Sequence, residues 1–211
     1  MKKRILIIIY ALLLCVTASL AWLPNYSKNK VKEIFIDYKD GALTVADPGF
    51  LAHIETLNSA GSFEQIAGDS YLFDSRKMVP DSLTPFKIKI HNNSATEYRK
   101  AKLGIGIRID AQEAEIANIL DVLYLEIVSG AGFDDAVTNH VYLRLNEASV
   151  IGDPSNGEYF LWIYGEGSEI LIPPSKSGDD YVTLDCSLYF DQNATQKYQN
   201  KSVYAMAFRL E

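Results

Sequence analysis

Segments in which apolar and polar residues alternate recur along this chain and constrain its fold more than any other feature. Every second residue is apolar in Phe86–Ile90, Leu103–Ile109, Val182–Phe190 and Tyr204–Leu210. That period is the signature of a β-strand with one buried face. Strands and helices do not alternate regularly, which argues against a parallel, doubly wound sheet. We therefore predict a mainly β fold in which two antiparallel sheets pack face to face as a sandwich.

Two stretches suggest short helices. Asp110–Glu113 has capping-box spacing, and apolar residues then follow at helical spacing: Ile116, Ile119, Leu120 and Leu123. We predict a helix of about three turns here, over 111–123. Asp134–Thr138 is compatible with a further helical turn, so one or two short helices are expected mid-chain. Phe50–Leu57 is ambiguous and is also compatible with a short helix.

The first residues predict export. Lys2–Arg4 form a positive n-region and Ile5–Val16 is an unbroken apolar stretch. Small residues at Ser19 and Ala21 suit a signal peptidase. We predict a cleaved signal peptide over residues 1–21, with the cut between Ala21 and Trp22. An uncleaved anchor is the alternative, because this segment is long enough to span a bilayer; contact with a membrane is expected only through it.

The rest of the chain is expected to form one domain. Residues 22–30 are polar and predict a flexible leader, and 31–211 predict a single β-sandwich domain. Loss of the three n-region cations takes the net charge from −7 to −10, which disfavours nucleic acid as a partner. Because Cys15 leaves with the signal, Cys186 has no intrachain partner. A large, cysteine-poor exported domain is typical of a Gram-positive bacterium.

No segment carries a catalytic or metal-binding motif. The histidines are far apart in sequence and none belongs to an HExxH motif: His53, His91 and His140. The paired acids at 134–135 and 179–180 lie beside turns without EF-hand spacing, and Cys186 lies on the apolar face of its strand. Gly104 and Gly106 lie inside a strand pattern and predict a bulge or a close approach, not a phosphate loop. We expect no enzyme activity, no metal and no cofactor.

An aromatic segment offers a binding alternative. Tyr159, Trp162 and Tyr164 are candidates for a sugar-stacking platform within Glu158–Tyr164. Core packing and cross-strand contacts are the other explanation, because neighbouring residues of a strand point to opposite faces. A secreted adhesion or carbohydrate-binding module is therefore the alternative function.

Several short motifs occur in a known arrangement. Met78–Thr84 is a proline-containing turn that leads into the strand Phe86–Ile90, which ends on Asn92-Asn93-Ser94. The helix-like segment 111–123 follows, and Lys197–Ser202 precedes the last strand. With the export signal, this layout over 30–211 resembles the TasA/camelysin family of secreted biofilm-fibre proteins of Gram-positive bacteria.

The sequence departs from the family pattern in two ways. Ala21–Pro24 stands where the family often has an Ala-Tyr-Phe motif, which leaves the processing enzyme open. Asn200 replaces a glycine of the final run, a change that the turn can accept because Asn tolerates left-handed backbone.

The resemblance implies a jelly-roll-like sandwich whose subunits form fibres by donating an N-terminal strand to a neighbour. The candidate donor strand has its apolar residues at Val31, Ile34, Ile36 and Tyr38. Pairing of this strand within its own domain is the alternative. The expected function is a secreted, non-enzymatic protein of a biofilm matrix or cell-surface fibre, self-associating or joined to related matrix subunits. Some camelysins are described as metal-dependent proteases, an activity not carried over because this sequence has no metal motif.

Overall fold

The fold is that of a computed structural model, which describes residues 43–66, 72, 79–109, 119–131, 141–150, 157–195, 198 and 203–211. All of them lie in one compact unit. The predicted signal peptide, its cleavage pair Ala21 and Trp22, the leader and the candidate donor strand lie outside the described residues. So do the predicted helical turn at 134–138 and His140.

The described residues form thirteen strands and two short 3-10 helices. In chain order the strands are β1 (Leu43–Val45), β2 (Phe50–Leu57), β3 (Phe63–Gln65), β4 (Leu83–Asn92), β5 (Arg99–Ala101), β6 (Leu103–Ile109), β7 (Leu123–Ala131), β8 (Val141–Arg144), β9 (Ser149–Val150), β10 (Glu158–Tyr164), β11 (Ile170–Ile172), β12 (Val182–Phe190) and β13 (Val203–Leu210). The 3-10 helices are Ile119–Val122 and Leu145–Glu147. The predicted mainly β fold with short helices mid-chain is confirmed.

The strands form two main sheets in the order of a jelly roll. One sheet has the order β1-β13-β6-β10-β9, and the other has the order β3-β2-β4-β12-β7-β8. β5 and β11 pair in a separate two-stranded sheet. All pairs in the described residues are antiparallel except β1 with β13, which is parallel.

One hydrophobic core lies between the two main sheets. The alternating residues predicted to be buried are its members: Phe86, Ile88 and Ile90 of β4, Leu103 to Ile109 at every second position of β6, and Leu184 and Leu188 of β12. Phe86 and Phe208 meet across the sandwich, with ring centroids 5.5 Å apart. The period-two pattern therefore located the buried face of these strands.

The ambiguous segment Phe50–Leu57 is not a helix, and the predicted helix over 111–123 can be compared with the structure only at its end. Phe50–Leu57 is the strand β2, which pairs with β4 from Phe50 to Thr56 and buries Phe50 and Ile54 in the core. The predicted helix over 111–123 lies mostly outside the described residues. At its end, Ile119–Val122 is a 3-10 helix and Leu123 already begins β7, because Leu123 pairs with Phe190 of β12.

The Asn-rich turn after β4 has a structural role. The side chain of Asn92 is buried, and its amide nitrogen lies 2.8 Å from the carbonyl oxygen of Glu97 and 3.1 Å from that of Pro173. Its Oδ1 accepts the backbone N–H of Ser94 at 2.9 Å. Asn92 thus ties the turn that follows β4 to the segment that follows β11.

Candidate functional site

The three aromatic residues proposed as a sugar platform do not share a surface. Tyr164 belongs to the hydrophobic core and Tyr159 packs against it, whereas Trp162 lies opposite Gly104 on the outer face of the sheet. A register shift between Trp162 and Tyr164 places Tyr164 opposite Leu103. The bulge therefore turns the side chain of Tyr164 towards the core. Strict alternation would instead have placed it beside Trp162 on the outer face.

Trp162 packs against Phe160. Their ring centroids are 4.8 Å apart and the planes meet at 83°, an edge-to-face contact. Both rings lie over Gly104, where an added Cβ would come within 2.2 Å of Cζ of Phe160. The predicted close approach is present at Gly104, and its missing side chain makes room for the aromatic pair.

The hydroxyl of Tyr164 is buried and has no hydrogen-bond partner among the residues that the structure describes. Burial raises the pKa of Tyr164 to about 12. Burial also raises the pKa of the Cys186 thiol, which lies in the core as predicted. Neither group is exposed to a ligand.

A second aromatic group lies on the outer face of the six-stranded sheet. We call Tyr124 of β7, Tyr142 of β8 and Tyr189 of β12 the tyrosine cluster. The rings of Tyr124 and Tyr142 are stacked, with centroids 4.8 Å apart and an interplanar angle of 24°. The ring of Tyr189 lies 6.0 Å from that of Tyr124. Tyr124 is 6% exposed and Tyr142 is 49% exposed, so Tyr142 forms the outer layer.

Polar groups hold the tyrosine cluster in place. The hydroxyl of Tyr124 donates to Oδ2 of Asp191 at 3.1 Å, and the guanidinium of Arg144 lies 5.6 Å from the centre of its ring. Burial and the hydrogen bond to Asp191 raise the pKa of Tyr124. The pKa of Asp191 is lowered, chiefly because the backbone N–H of Asn193 donates to it.

Tyr189 is fixed from the other side. Its hydroxyl donates to Oδ1 of Asp81 at 3.4 Å and accepts the backbone N–H of Gln192 at 3.2 Å. The sequence did not predict the tyrosine cluster, because its members come from three different strands whose alignment the sequence does not give. Their place on the polar face of each strand was the only available signal.

The other end of the same outer face is charged. Glu55 pairs with Lys89 at 2.9 Å and lies 3.3 Å from Nε2 of His53. Burial alone would raise the pKa of Glu55, but hydrogen bonds from Lys89 and His53 and their charges outweigh it and lower the pKa. The rings of His53 and His91 flank that of Tyr181 at 5.1 Å and 5.3 Å.

This arrangement does not gather metal ligands. No three His, Cys, Asp or Glu side chains within the described ranges are placed to hold a metal ion. The paired acids at 134–135 lie outside those ranges. None of the helices described is long and apolar enough to cross a membrane.

In the part of the chain that the structure describes, the short strand β1 covers only part of β13 in the five-stranded sheet. β13 has eight residues and pairs with β6 on one side. On its other side, β1 pairs only with Phe208–Leu210. Among the described strands, none pairs with Tyr204–Ala207 on that side.

Comparison with known proteins adds little to this picture. No family model matches the chain, and no curated protein matches it. A solved structure described as "AvmM Catalyzes Macrocyclization in Alchivemycin A Biosynthesis" is similar over 72% of this chain and 69% of that chain, with 11% identity and a TM-score of 0.36. A similarity at that level carries no argument about fold or function.

Proposed function

We propose that this protein is a secreted, non-enzymatic structural subunit of a biofilm matrix or cell-surface fibre, and that it assembles by adding a neighbour's strand to β13. The export pattern at residues 1–21 and the TasA-like motifs support the first part of the proposal. The observation that carries the second part is the edge of β13, where β1 pairs with three of the eight residues and no other strand of the described ranges pairs with the rest on that side.

The chemistry of this edge favours strand addition. A strand edge presents N–H and C=O groups in a row, which another extended segment can pair with. The inner face of β13 is already packed, with Met206, Phe208 and Leu210 in the core. An added strand would therefore bind to β13 when β13 is already ordered. Binding would not carry the cost of ordering β13.

The proposed donor is Val31–Tyr38 of a neighbouring subunit, an alternating segment that cleavage after Ala21 would free. Within a single subunit, the sequence Lys39-Asp40-Gly41 separates this segment from β1, and such residues are typical of a turn. A turn at this position would interrupt a straight extension of β1 along β13, so the strand proposed to add to β13 is taken from a neighbouring subunit.

Electron microscopy and light scattering of residues 22–211 at rising concentration test the proposal. We expect fibres, and we expect deletion of residues 22–38 to abolish them while deletion of 22–30 leaves them intact. A synthetic peptide of residues 31–38 should cap the edge and shorten the fibres, whereas a scrambled peptide of the same composition should not. A strict monomer at all concentrations, or fibres that survive deletion of 22–38, would rule the mechanism out.

A further inference from the structure

The tyrosine cluster lies in a longer row that crosses four strands. Register places Leu83 of β4 opposite Tyr189, Tyr189 opposite Tyr124, and Tyr124 opposite Arg144 of β8. Neighbouring strands are about 4.8 Å apart, so the row is about 14 Å long. Its ends are open to solvent, because Leu83 is 59% exposed and Arg144 is also exposed. Such a row has the dimensions of a site for an extended oligomer.

The rings of this row are preorganised. Tyr142 stacks on Tyr124, and the hydroxyls of Tyr124 and Tyr189 are held by Asp191 and Asp81. A ligand that stacks on these rings would lose little binding free energy to side-chain ordering. Tyr124 is only 6% exposed because Tyr142 stacks on it, so Tyr142, which is 49% exposed, presents the ring surface to solvent.

The groups around the rings are mainly hydrogen-bond acceptors. Asp191 and Asp81 accept the hydroxyls of Tyr124 and Tyr189. Glu126, which accepts the hydroxyl of Ser187 at 3.0 Å, lies directly opposite Tyr142 in the neighbouring strand. Arg144 is the cation in the row. The excess of carboxylates disfavours an anionic polymer. Carboxylates accept hydrogen bonds and cannot donate them, so they suit a ligand that presents hydroxyl donors.

We propose that the tyrosine cluster, with Leu83 and Arg144 at its ends, binds a neutral polysaccharide. The apolar C–H faces of sugar rings stack on Tyr142 and on the partly exposed Tyr189. The sugar hydroxyls donate to the carboxylates and accept from Arg144. A proline-rich peptide also stacks on aromatic rings, but it presents mainly carbonyl acceptors, which carboxylates cannot bind. This site does not rest on fibre assembly, because it lies on the six-stranded sheet and the partly covered edge belongs to the other.

Affinity electrophoresis of residues 22–211 tests the site in native gels that contain hydroxyethyl cellulose, glycol chitin or laminarin. We expect at least one of these soluble neutral glycans to retard the protein, and polygalacturonate, which is anionic, to have no such effect. Tyr142→Ala should weaken binding by about tenfold or more, as expected for the truncation of a tyrosine that is central to a binding surface. Tyr142→Phe should bind normally because it keeps the ring.

Tyr98→Ala is the matched control, because Tyr98 is also 49% exposed but lies just before β5, away from the tyrosine cluster. It should bind like the parent protein, and circular dichroism should show that every variant is folded. Absence of retardation by all three neutral glycans would overturn the proposal. Equal loss in Tyr98→Ala would do the same, as would Tyr142-dependent binding of a proline-rich peptide without any binding of glycan.

Discussion

Phe86 of β4 and Phe208 of β13 meet between the two sheets, with ring centroids 5.5 Å apart and planes inclined at 46°. Both side chains are fully buried. The contact joins strands that are separated by more than a hundred residues of sequence, and it holds the strand next to the partly covered edge against the opposite sheet. The order proposed for β13 therefore depends on this pair.

Phe208→Ala should destabilise the protein by about 3–5 kcal/mol, because it leaves a cavity that close-packed neighbours cannot fill. Guanidinium unfolding followed by tryptophan fluorescence measures the change. Leu171→Ala is the control, since Leu171 is 47% exposed and its truncation should cost at most about 0.5 kcal/mol. Equal effects of the two variants would contradict the packing described for Phe208.

Gly104→Ala should destabilise the protein by about 1–3 kcal/mol, as overpacking does. The new Cβ would lie 2.2 Å from Cζ of Phe160 and 2.9 Å from Cε3 of Trp162. Gly178→Ala is the matched control, because nothing lies within 4 Å of its added Cβ. Thermal unfolding should show a lower Tm for Gly104→Ala alone.

A double variant tests whether Phe160 causes the clash at Gly104. Phe160→Ala removes the nearest obstacle, so the double variant Gly104→Ala, Phe160→Ala should be more stable than the sum of the single effects predicts. Strict additivity would show that Phe160 is not what excludes a side chain at Gly104.

Strands with one fully buried face could be predicted from the sequence. β6 and β12 alternate without interruption, and only the strand period explains such a pattern. β2 could not be assigned in this way, because Phe50 and Ile54 are four residues apart, a spacing that places two residues on one face of either a helix or a strand. Only the pairing with β4 shows that this segment is a strand and not a helix. That pairing cannot be read from a single sequence.

The candidate sites were harder to predict from the sequence than the strands, because they depend on the register between strands. Tyr124, Tyr142 and Tyr189 become neighbours only through the alignment of three strands, which the sequence of each strand leaves open. Tyr164 was misplaced relative to Trp162 for a local reason, since one extra residue in β10 reverses the direction of the side chains that follow it.

Asn92→Ala should destabilise the protein by about 1–3 kcal/mol, because it leaves partly buried backbone groups without a partner. Asn92 is 1% exposed, and the carbonyl groups of Glu97 and Pro173 and the N–H of Ser94 all bond to its side chain. Asn93→Ala is the control in the same turn. The amide of Asn93 donates to the carbonyl of Pro48 at an exposed position, where water can replace the lost bond, so urea unfolding should detect little change.

Tyr164→Phe should change how stability depends on alkaline pH. The pKa of Tyr164 is raised by burial to about 12 in the folded protein, against about 10 in an unfolded chain. The folded state therefore keeps a proton that the unfolded state releases, and stability falls as pH rises from about 10 to about 12. Below pH 10 the group is protonated in both states and contributes no pH dependence.

Between pH 10 and 12, the free energy of unfolding of Tyr164→Phe should decrease less than that of the parent protein. The difference should reach at most about 2.7 kcal/mol. At pH 7 the variant should be as stable as the parent or more so, since the buried hydroxyl has no partner among the described residues and its desolvation is a cost. Tyr98→Phe, at an exposed position, serves as the control. Guanidinium unfolding at pH 7, 10, 11 and 12 measures both effects, and an unchanged slope above pH 10 in Tyr164→Phe would place the titrating group elsewhere in the chain.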